Sequence, residues 1–499
     1  MYPSLNRSVT TDQSLWRDSF HDASQSRKRE SEALIAEPCH RNDGALAHVV
    51  AIQDDGSAFV SSLRACTKHK NLHRGTQIHD EILKRGLLEK CSDALVTMYA
   101  KCGEIGKAKA LLDMYNTRDV ITWTSIIAGY ARDGHGQSAL DCYERMQHEG
   151  VPANAVTYVF VLKACSAIGA IDKGKDIHKA AKEKGLLHDN ILLGTALVDM
   201  YAKCGALSKA QGVLERLPYR DVVSWNALIT GYAQKGLGDQ ALKCFKLMKQ
   251  EDIPPDSVTY LSLLKACASI GAADRGEQIH DEIVRQGLLK NDLSLGNALV
   301  DMYAKCGALS KAQDVLEKLP TRDVVSWSSL ICGYAQKRQA KQALECFRRM
   351  QHEGIPPDAI AFVCVLNACS HLGLLDEADS LFTDMITRFG VAPNLECYTC
   401  MVDLYGRAGH LEKAVQLIQE MPSSDHSALW LALLGACRQW GDVNVGRWAF
   451  EQIIAKNKNN VSAYVLMADI YAAAGMLENA RYIEAMRITQ QQSIGEALV

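Results

Sequence analysis

Apolar residues recur along this chain with the period of an α-helix. In residues 222–256, VVSWNALITGYAQKGLGDQALKCFKLMKQEDIPPD, Trp225, Leu228, Ile229 and Tyr232 fall at i, i+3, i+4 and i+7. After Lys235-Gly236-Leu237-Gly238, Ala241, Leu242, Phe245 and Met248 line one face of a second helix. The pattern predicts a helical hairpin with one apolar face per helix. Glycine at the turn suits a left-handed helix end, and Pro254 and Pro255 stop the second helix before the pattern begins again. A hairpin of this size cannot bury its faces alone, whereas stacked copies can.

The copies are visible in the cysteines. Cys102, Cys204 and Cys306 are 102 residues apart, as are Cys142, Cys244 and Cys346, and Cys165, Cys267 and Cys369. Trp123, Trp225 and Trp327 keep the interval, and so do Tyr130, Tyr232 and Tyr334. Each unit divides into three segments, clearest in 222–256, 257–292 and 293–323, which have 35, 36 and 31 residues. About thirteen hairpins are expected between residues 56 and 490. The first 55 residues lack the periodicity, carry polar stretches such as Ser24 to Glu32, and are expected to be mostly flexible.

Composition narrows the picture. The chain has 499 residues, 47% hydrophobic and 23% charged, which excludes a disordered or collagen-like polymer. With 55 Lys and Arg against 58 Asp and Glu, its net charge of −3 argues against indiscriminate coating of nucleic acid, though not against a local basic groove. Seventeen cysteines, an odd number at wide spacings, with no signal-peptide apolar core after the N-terminus, point to a reducing compartment. No apolar run reaches the roughly 18 residues that a membrane-spanning helix requires, so no membrane partner is expected.

The motifs DVVSWNALITGYAQ, LLKACASIGAADRGEQIH and GNALVDMYAKCGALSKAQDVLEKLPTRD recur in register. They resemble the pentatricopeptide repeat family, in particular its plant subfamily in which long, short and standard motifs alternate, over about 430 residues. The resemblance implies an all-α fold: a right-handed superhelical solenoid of stacked helix-turn-helix repeats, pentatricopeptide- or tetratricopeptide-like. It divides the chain into a flexible region at 1–55 that holds a degenerate targeting segment at most, repeats at 56–426, extension motifs at 427–490 and a tail at 491–499. The chain stops at Val499, where relatives continue and many carry a zinc-dependent cytidine deaminase domain.

In that family the array binds single-stranded RNA, one nucleotide per motif, and base choice is attributed to the fifth and last residues of standard and short motifs. A terminal Asp carboxylate only accepts hydrogen bonds and suits U or G, whereas Asn also donates and suits A or C. At the fifth position Thr or Ser goes with purines and Asn with pyrimidines. Carried over to this chain, Thr124 with Asn154 implies A, Thr195 with Asp221 implies G, and Asn226 with Asp256 implies U. Asn297 with Asp323 implies U and Ser328 with Asp358 implies G. Asp93 with Asp119 departs from the pattern, and Val60, Val159, Leu261 and Val363 of the long motifs have no polar group to read with. The implied target is 5′-A-n-G-U-n-U-G-3′. An Asp before a helix is also a common N-cap, and Asn or Thr on a helix side can simply be solvated; for Asp221, Asp256, Asp323 and Asp358 capping and base contact can coexist. Lys101, Lys203, Lys305 and Arg407 recur just before the inter-helix turn, where they are candidates for phosphate contact or simply for cations at a helix C-terminus. The three repeat tryptophans are read as core, not as base-stacking platforms.

No catalysis is expected. A zinc deaminase needs His-x-Glu and Pro-Cys-x-x-Cys. His79-Asp80-Glu81 and His280-Asp281-Glu282 match the first element, but both His share a core-facing helix position with His178. Cys397-Tyr398-Thr399-Cys400 is preceded by Glu396, not by proline. There is no GxxxxGKS/T loop, so neither a metal nor a cofactor is expected. The leading function is a sequence-specific RNA-binding solenoid resembling organellar RNA-editing specificity factors. It would act by recruiting a deaminase-bearing protein or editing accessory factor in trans through 427–490, or by occupying RNA. The alternative is a protein-binding scaffold of tetratricopeptide type. The resemblance implies a mitochondrion or chloroplast, although Asp12, Asp18, Asp22, Glu30 and Glu32 make the N-terminus more acidic than a typical transit peptide.

Overall fold

The computed structural model describes residues 56–115, 119–188, 190–290, 292–421 and 427–497, with side chains to residue 489. The flexible segment expected at 1–55 lies outside the described residues. Ala58–Val499 forms one unit by itself. Its described residues contain 26 α-helices, a single 3₁₀ turn at Leu288–Lys290, and no strand. The helices succeed one another as hairpins, and the twelve pairs from Leu88–Cys102 with Ile105–Met114 to Val461–Ala473 with Leu477–Ala497 pack together. No described helix is long and apolar enough to cross a membrane.

The 35, 36 and 31 residue alternation has a structural cause. In the 35-residue motif both helices have 13 residues, Val222–Gln234 and Gly238–Gln250. The 36-residue motif lengthens its leading helix to 14, Ser257–Ile270. The 31-residue motif cuts its following helix to 10, Leu309–Lys318, after which Leu319 turns extended. The same shortening occurs at Leu207–Arg216.

The two helices of a hairpin have different environments. Leading helices pack on the leading helices before and after them, as Val222–Gln234 does on Ile191–Lys203 and Ser257–Ile270, and also on their own following helix. Val222–Gln234 therefore buries Ser224, Trp225, Asn226, Leu228, Ile229, Gly231, Tyr232 and Ala233, most of its circumference. A following helix touches only its own leading helix and the next, so Ala273–Arg285 buries just Gly276, Ile279 and Ile283. Successive following helices approach each other less closely and are bridged by ion pairs between extended side chains, such as Lys249 with Glu282 at 2.6 Å and Lys311 with Glu277 at 2.7 Å. At every step the leading helices thus form the tighter, inner layer. Pairs this exposed contribute only about 0–1 kcal/mol each, so apolar burial is the main cohesive term.

Close approach in the inner layer selects residue size. A Cβ on Gly333 would lie 2.7 Å from the Ala304 Cβ and 3.0 Å from Leu309 Cδ2 on the preceding hairpin. The turns select conformation: Gly134 and Gly236 take φ of 80° and 71°, but at the matching place in the third unit stands Arg338, also left-handed at φ 58°. These two sites predict opposite outcomes in thermal or urea unfolding followed by helical signal. Gly333→Ala is expected to destabilise by about 1–3 kcal/mol through overpacking. Arg338→Gly is expected to stabilise by up to about 1 kcal/mol by relieving the left-handed strain.

Candidate nucleic-acid interface

From Val120–Arg132 to Leu395–Ala408 each leading helix begins with a polar cap supplied by the last residue of the motif before it, whereas Leu88–Cys102 follows Leu87 and has no side-chain cap. Asp221 accepts from the Ser224 N–H at 2.8 Å, Asp256 from Thr259 at 2.9 Å, Asp323 from Ser326 at 2.9 Å and Asp358 from Ala361 at 2.9 Å. Asn154 caps in the same way, from Thr157 at 2.9 Å. The capping role read from sequence is therefore real at the four Asp positions, and Asn154 adds a fifth cap, each contributing about 1 kcal/mol.

Three of these side chains bond the fifth residue of their own motif directly. Asn226 donates from Nδ2 to Asp256 Oδ1 at 2.9 Å, Asn297 to Asp323 Oδ2 at 3.0 Å, and the Ser328 hydroxyl to Asp358 Oδ1 at 2.9 Å. Thr124 reaches Asn154 through Thr157, whose hydroxyl lies 2.7 Å from that of Thr124 and donates to Asn154 Oδ1 at 3.0 Å. No direct bond joins Thr195 to Asp221: the Thr195 hydroxyl is buried and makes no hydrogen bond. Asn297 Oδ1 is likewise buried and unmatched. Four of the fifth residues, Thr124, Thr195, Asn226 and Ser328, lie deeper than their partners, with Asn226 only 7% and Ser328 4% exposed, while Asn297 is half-buried like Asp323. Where the fifth residue is buried beside a carboxylate, the half-buried carboxylate is the accessible member of the pair.

Burial pushes the Asp256 carboxyl up, but the Thr259 and Val258 N–H groups and the Asn226 amide outweigh it and hold it below the ordinary carboxylate value. Asp323 is lowered by the same balance, with Ser326, Val325 and Asn297 as donors.

The basic residues fit less simply. Lys203 pairs with Asp199 at 2.8 Å, Lys305 with Asp301 at 2.8 Å and Arg407 with Asp403 at 2.7 Å, each one turn back on its own helix. Lys101 is exposed in the last turn of Leu88–Cys102. All four occupy the last turns of leading helices, the position expected of cations at a helix C-terminus. The exposed pairings are weak enough for a phosphate to compete with.

One feature escaped the sequence reading. Ile121, Val156, Leu192, Val223, Val258, Val325 and Ile360 are all exposed. Each is the second residue of its motif and follows the capping Asp or Asn by two. Branched aliphatics in solvent, repeated beside seven caps, form a row of apolar steps along the inner layer. Their signal in the sequence is position: they precede the periodic apolar stripe instead of belonging to it. Ser294 interrupts the row.

The remaining candidates are structural. Trp123, Trp225 and Trp327 are buried, and the indole N–H of Trp225 and Trp327 reaches Glu251 and Glu353. His79, His178 and His280 each bond a tyrosine hydroxyl, of Tyr99, Tyr201 and Tyr303, at 2.8, 3.0 and 3.1 Å. Burial lowers all three imidazoles from their ordinary value. Cys397 is buried against the Met385 sulfur. Among the described residues no group of three or more His, Cys, Asp or Glu is placed to hold a metal.

These features define a helical-repeat protein with a polar and aliphatic ladder along its inner helices. The PPR repeat family model matches residues 118–167, 220–269 and 322–371, and further PPR repeat matches cover 258–288, 297–324, 360–388 and 389–422. The chain is 37% identical over 429 residues to pentatricopeptide repeat-containing protein CRR2, chloroplastic, of Arabidopsis thaliana, covering 84% of this chain and 65% of that one. It is 35% identical to a putative mitochondrial pentatricopeptide repeat-containing protein of the same plant, covering 85% and 68%. The crystal structure of PPR10 in complex with an 18-nt psaJ RNA element superposes with a TM-score of 0.66 at 16% identity, covering 95% of this chain and 72% of that one. The chain belongs to the pentatricopeptide repeat family. It spans about half to two thirds of the length of the curated relatives it matches.

The carboxylate geometry gives a pH prediction. A carboxyl lowered in the folded state adds stability that is complete above its unfolded value, about 3.9, and lost as pH falls through the lower folded value. In unfolding measured from pH 7 downward, the double variant Asp256→Asn with Asp323→Asn, which keeps both caps, is expected to lose stability less steeply below about pH 4. Asp256→Ala, which loses the cap, is expected to be destabilised by about 1–2 kcal/mol across the range.

Proposed function

We propose that this chain binds single-stranded RNA in a sequence-selective manner, one base per motif, and acts in organellar RNA processing as a specificity factor for C-to-U editing. The observation that carries the reading is the recurring pair of a fifth residue and a capping carboxylate, beside an exposed aliphatic, at successive starts of the inner helices. Stacked on the aliphatic step, a base would turn its edge toward the carboxylate.

The fifth residue then acts largely through the oxygen it holds. Asn226 donates to Asp256 Oδ1, so Oδ2 is left to accept an imino N–H, as U presents. Ser328 is shorter than Asn and leaves more room above Asp358 for a purine such as G. Thr124 with Asn154 offers an amide in place of a carboxylate, suiting A. The target implied by the pairs Thr195 with Asp221 and Asn297 with Asp323 as well is 5′-A-n-G-U-n-U-G-3′. Lys203, Lys305 and Arg407 would contact phosphates once their neighbouring carboxylates are displaced, and Lys101 would do so from its exposed position. The solved PPR10 complex contains RNA, and the relatives named for chloroplasts and mitochondria support an organellar setting.

The alternating motif lengths support membership of the subfamily with long, short and standard motifs. Residues 427–490 would then serve as the extension through which a deaminase-bearing protein or accessory factor is recruited. The two hairpins there, Ser427–Trp440 with Val443–Lys456 and Val461–Ala473 with Leu477–Ala497, continue the stack.

Fluorescence anisotropy with short RNAs tests the reading. An oligonucleotide carrying A-n-G-U-n-U-G is expected to bind more tightly than one with its G and U positions exchanged, by about 5-fold or more per mismatched base. Asn226→Thr is expected to move preference at that one position from U toward G. Equal affinity for both RNAs would sink the base assignments. If no salt-resistant preference for any single-stranded RNA exists, a protein-binding scaffold becomes the better reading.

A further inference from the structure

Three successive 102-residue units allow the same contact to be compared across copies. Where the second unit has Thr230 and Ser262 on adjacent inner helices, the two hydroxyl oxygens lie 2.7 Å apart. The first unit has Ala128 and Phe160 there, and the third has Cys332 and Cys364. The register that brings two γ-oxygens into hydrogen-bond contact therefore sets two thiols facing each other on adjacent helices, near enough for each to shift the other's ionisation. Their helices, Val324–Gln336 and Ala359–Leu372, belong to consecutive hairpins and pack along the inner layer. Cys165, Cys267 and Cys369 are fully buried packing residues, and the neighbouring Cys204 and Cys306 thiols donate to the Cys165 and Cys267 carbonyls at 3.9 and 3.7 Å.

The surroundings distinguish the two sulfurs. Cys332 is half-buried and accepts from the Gln336 amide at 3.3 Å. The hydrogen bond from Cys364 lowers its thiol most, burial opposes this, Asp301 on the preceding helix raises it and Lys305 lowers it, leaving Cys332 below the usual thiol range. Cys364 is buried and pushed up, first by that same hydrogen bond and then by burial, with Cys400 of the next helix adding to the effect. One thiol is accessible and easily ionised while its partner waits beside it, which is the arrangement of an attacking and a resolving cysteine.

We propose that Cys332 and Cys364 are a redox-active pair that closes to a reversible disulfide linking two consecutive repeats, with a small disulfide such as glutathione disulfide as oxidant. The Cys332 thiolate attacks one sulfur of glutathione disulfide, forming a mixed disulfide and releasing one glutathione thiolate. Cys364 gives up its proton to solvent and attacks Cys332 Sγ, which expels the second glutathione thiolate. Two protein thiols are oxidised, one disulfide is reduced, and two electrons pass. The S–S bond of about 2.05 Å requires side-chain rotation across an existing contact and no change of register. Ser328 lies one turn before Cys332 on the same helix, so the link ties the inner helices beside one of the proposed base-reading pairs. The proposal itself is independent of RNA.

The test uses the full chain without RNA, equilibrated in mixtures of reduced and oxidised glutathione, quenched with an alkylating agent and mapped by peptide mass spectrometry. The expected result is a crosslinked peptide containing Cys332 and Cys364, short of two hydrogens and restored by dithiothreitol. Cys364→Ser is expected to accumulate glutathione on Cys332, because the resolving thiol is gone. The double variant Cys332→Thr with Cys364→Ser copies the second unit, and is expected to keep the thermal midpoint of the reduced protein while losing the crosslink. Three results would overturn the proposal: both thiols remaining alkylatable throughout, stable glutathione on Cys332 in the unsubstituted chain, or a crosslink from Cys364 to Cys400 instead.

Discussion

A two-helix hairpin of thirty-odd residues exposes more apolar surface than it can cover, and everything else in this protein follows from covering it with the next hairpin. The leading helices are enclosed by neighbours before and after, so they tolerate apolar residues almost all round and demand glycine or alanine where backbones approach, as at Gly333 against Ala304. The following helices meet two neighbours and keep a polar outer side, bridged by lysine and glutamate pairs between successive copies. Cohesion is local, yet it is continuous from one hairpin to the next.

This packing also makes the inner face chemically distinctive. An inner helix needs its first N–H groups satisfied, and an Asp or Asn from the previous motif supplies the acceptor. Because the previous inner helix lies alongside, its fifth residue reaches the same carboxylate where that residue is Asn226, Asn297 or Ser328. Helix capping, contact between repeats and a row of oriented hydrogen-bond acceptors thus reside in a single side chain per motif. Stability and the proposed recognition are consequently coupled: Asp256→Asn alters charge with the cap kept, whereas Asp256→Ala removes both.

Much of this was legible in the sequence, and the gaps have physical reasons. The apolar stripe through Trp225, Leu228, Ile229 and Tyr232 identified the buried face, and those residues are buried. The shared helix position of His79, His178 and His280 identified them as core, and each bonds an equivalent tyrosine. The exposed ladder of Ile121, Val156 and Val223 went unread because an aliphatic side chain is assigned to the core by type, while its exposure depends on lying before the stripe begins. The Asp199 to Lys203 pairing was available from spacing alone, since residues four apart share a helix face.

The sequence by itself determined the helices, their pairing into hairpins, the three-motif period and the residues that start each inner helix, because these depend on local periodicity and on turn and cap chemistry. Only the tertiary structure decided which atoms meet between repeats: Asn226 with Asp256, Thr195 left without a hydrogen-bond partner, Cys332 with Cys364. A period of 3.6 residues specifies which face of a helix is buried. The register and depth at which two such faces interlock depend on side-chain volumes on both helices at once, and no single segment carries that information.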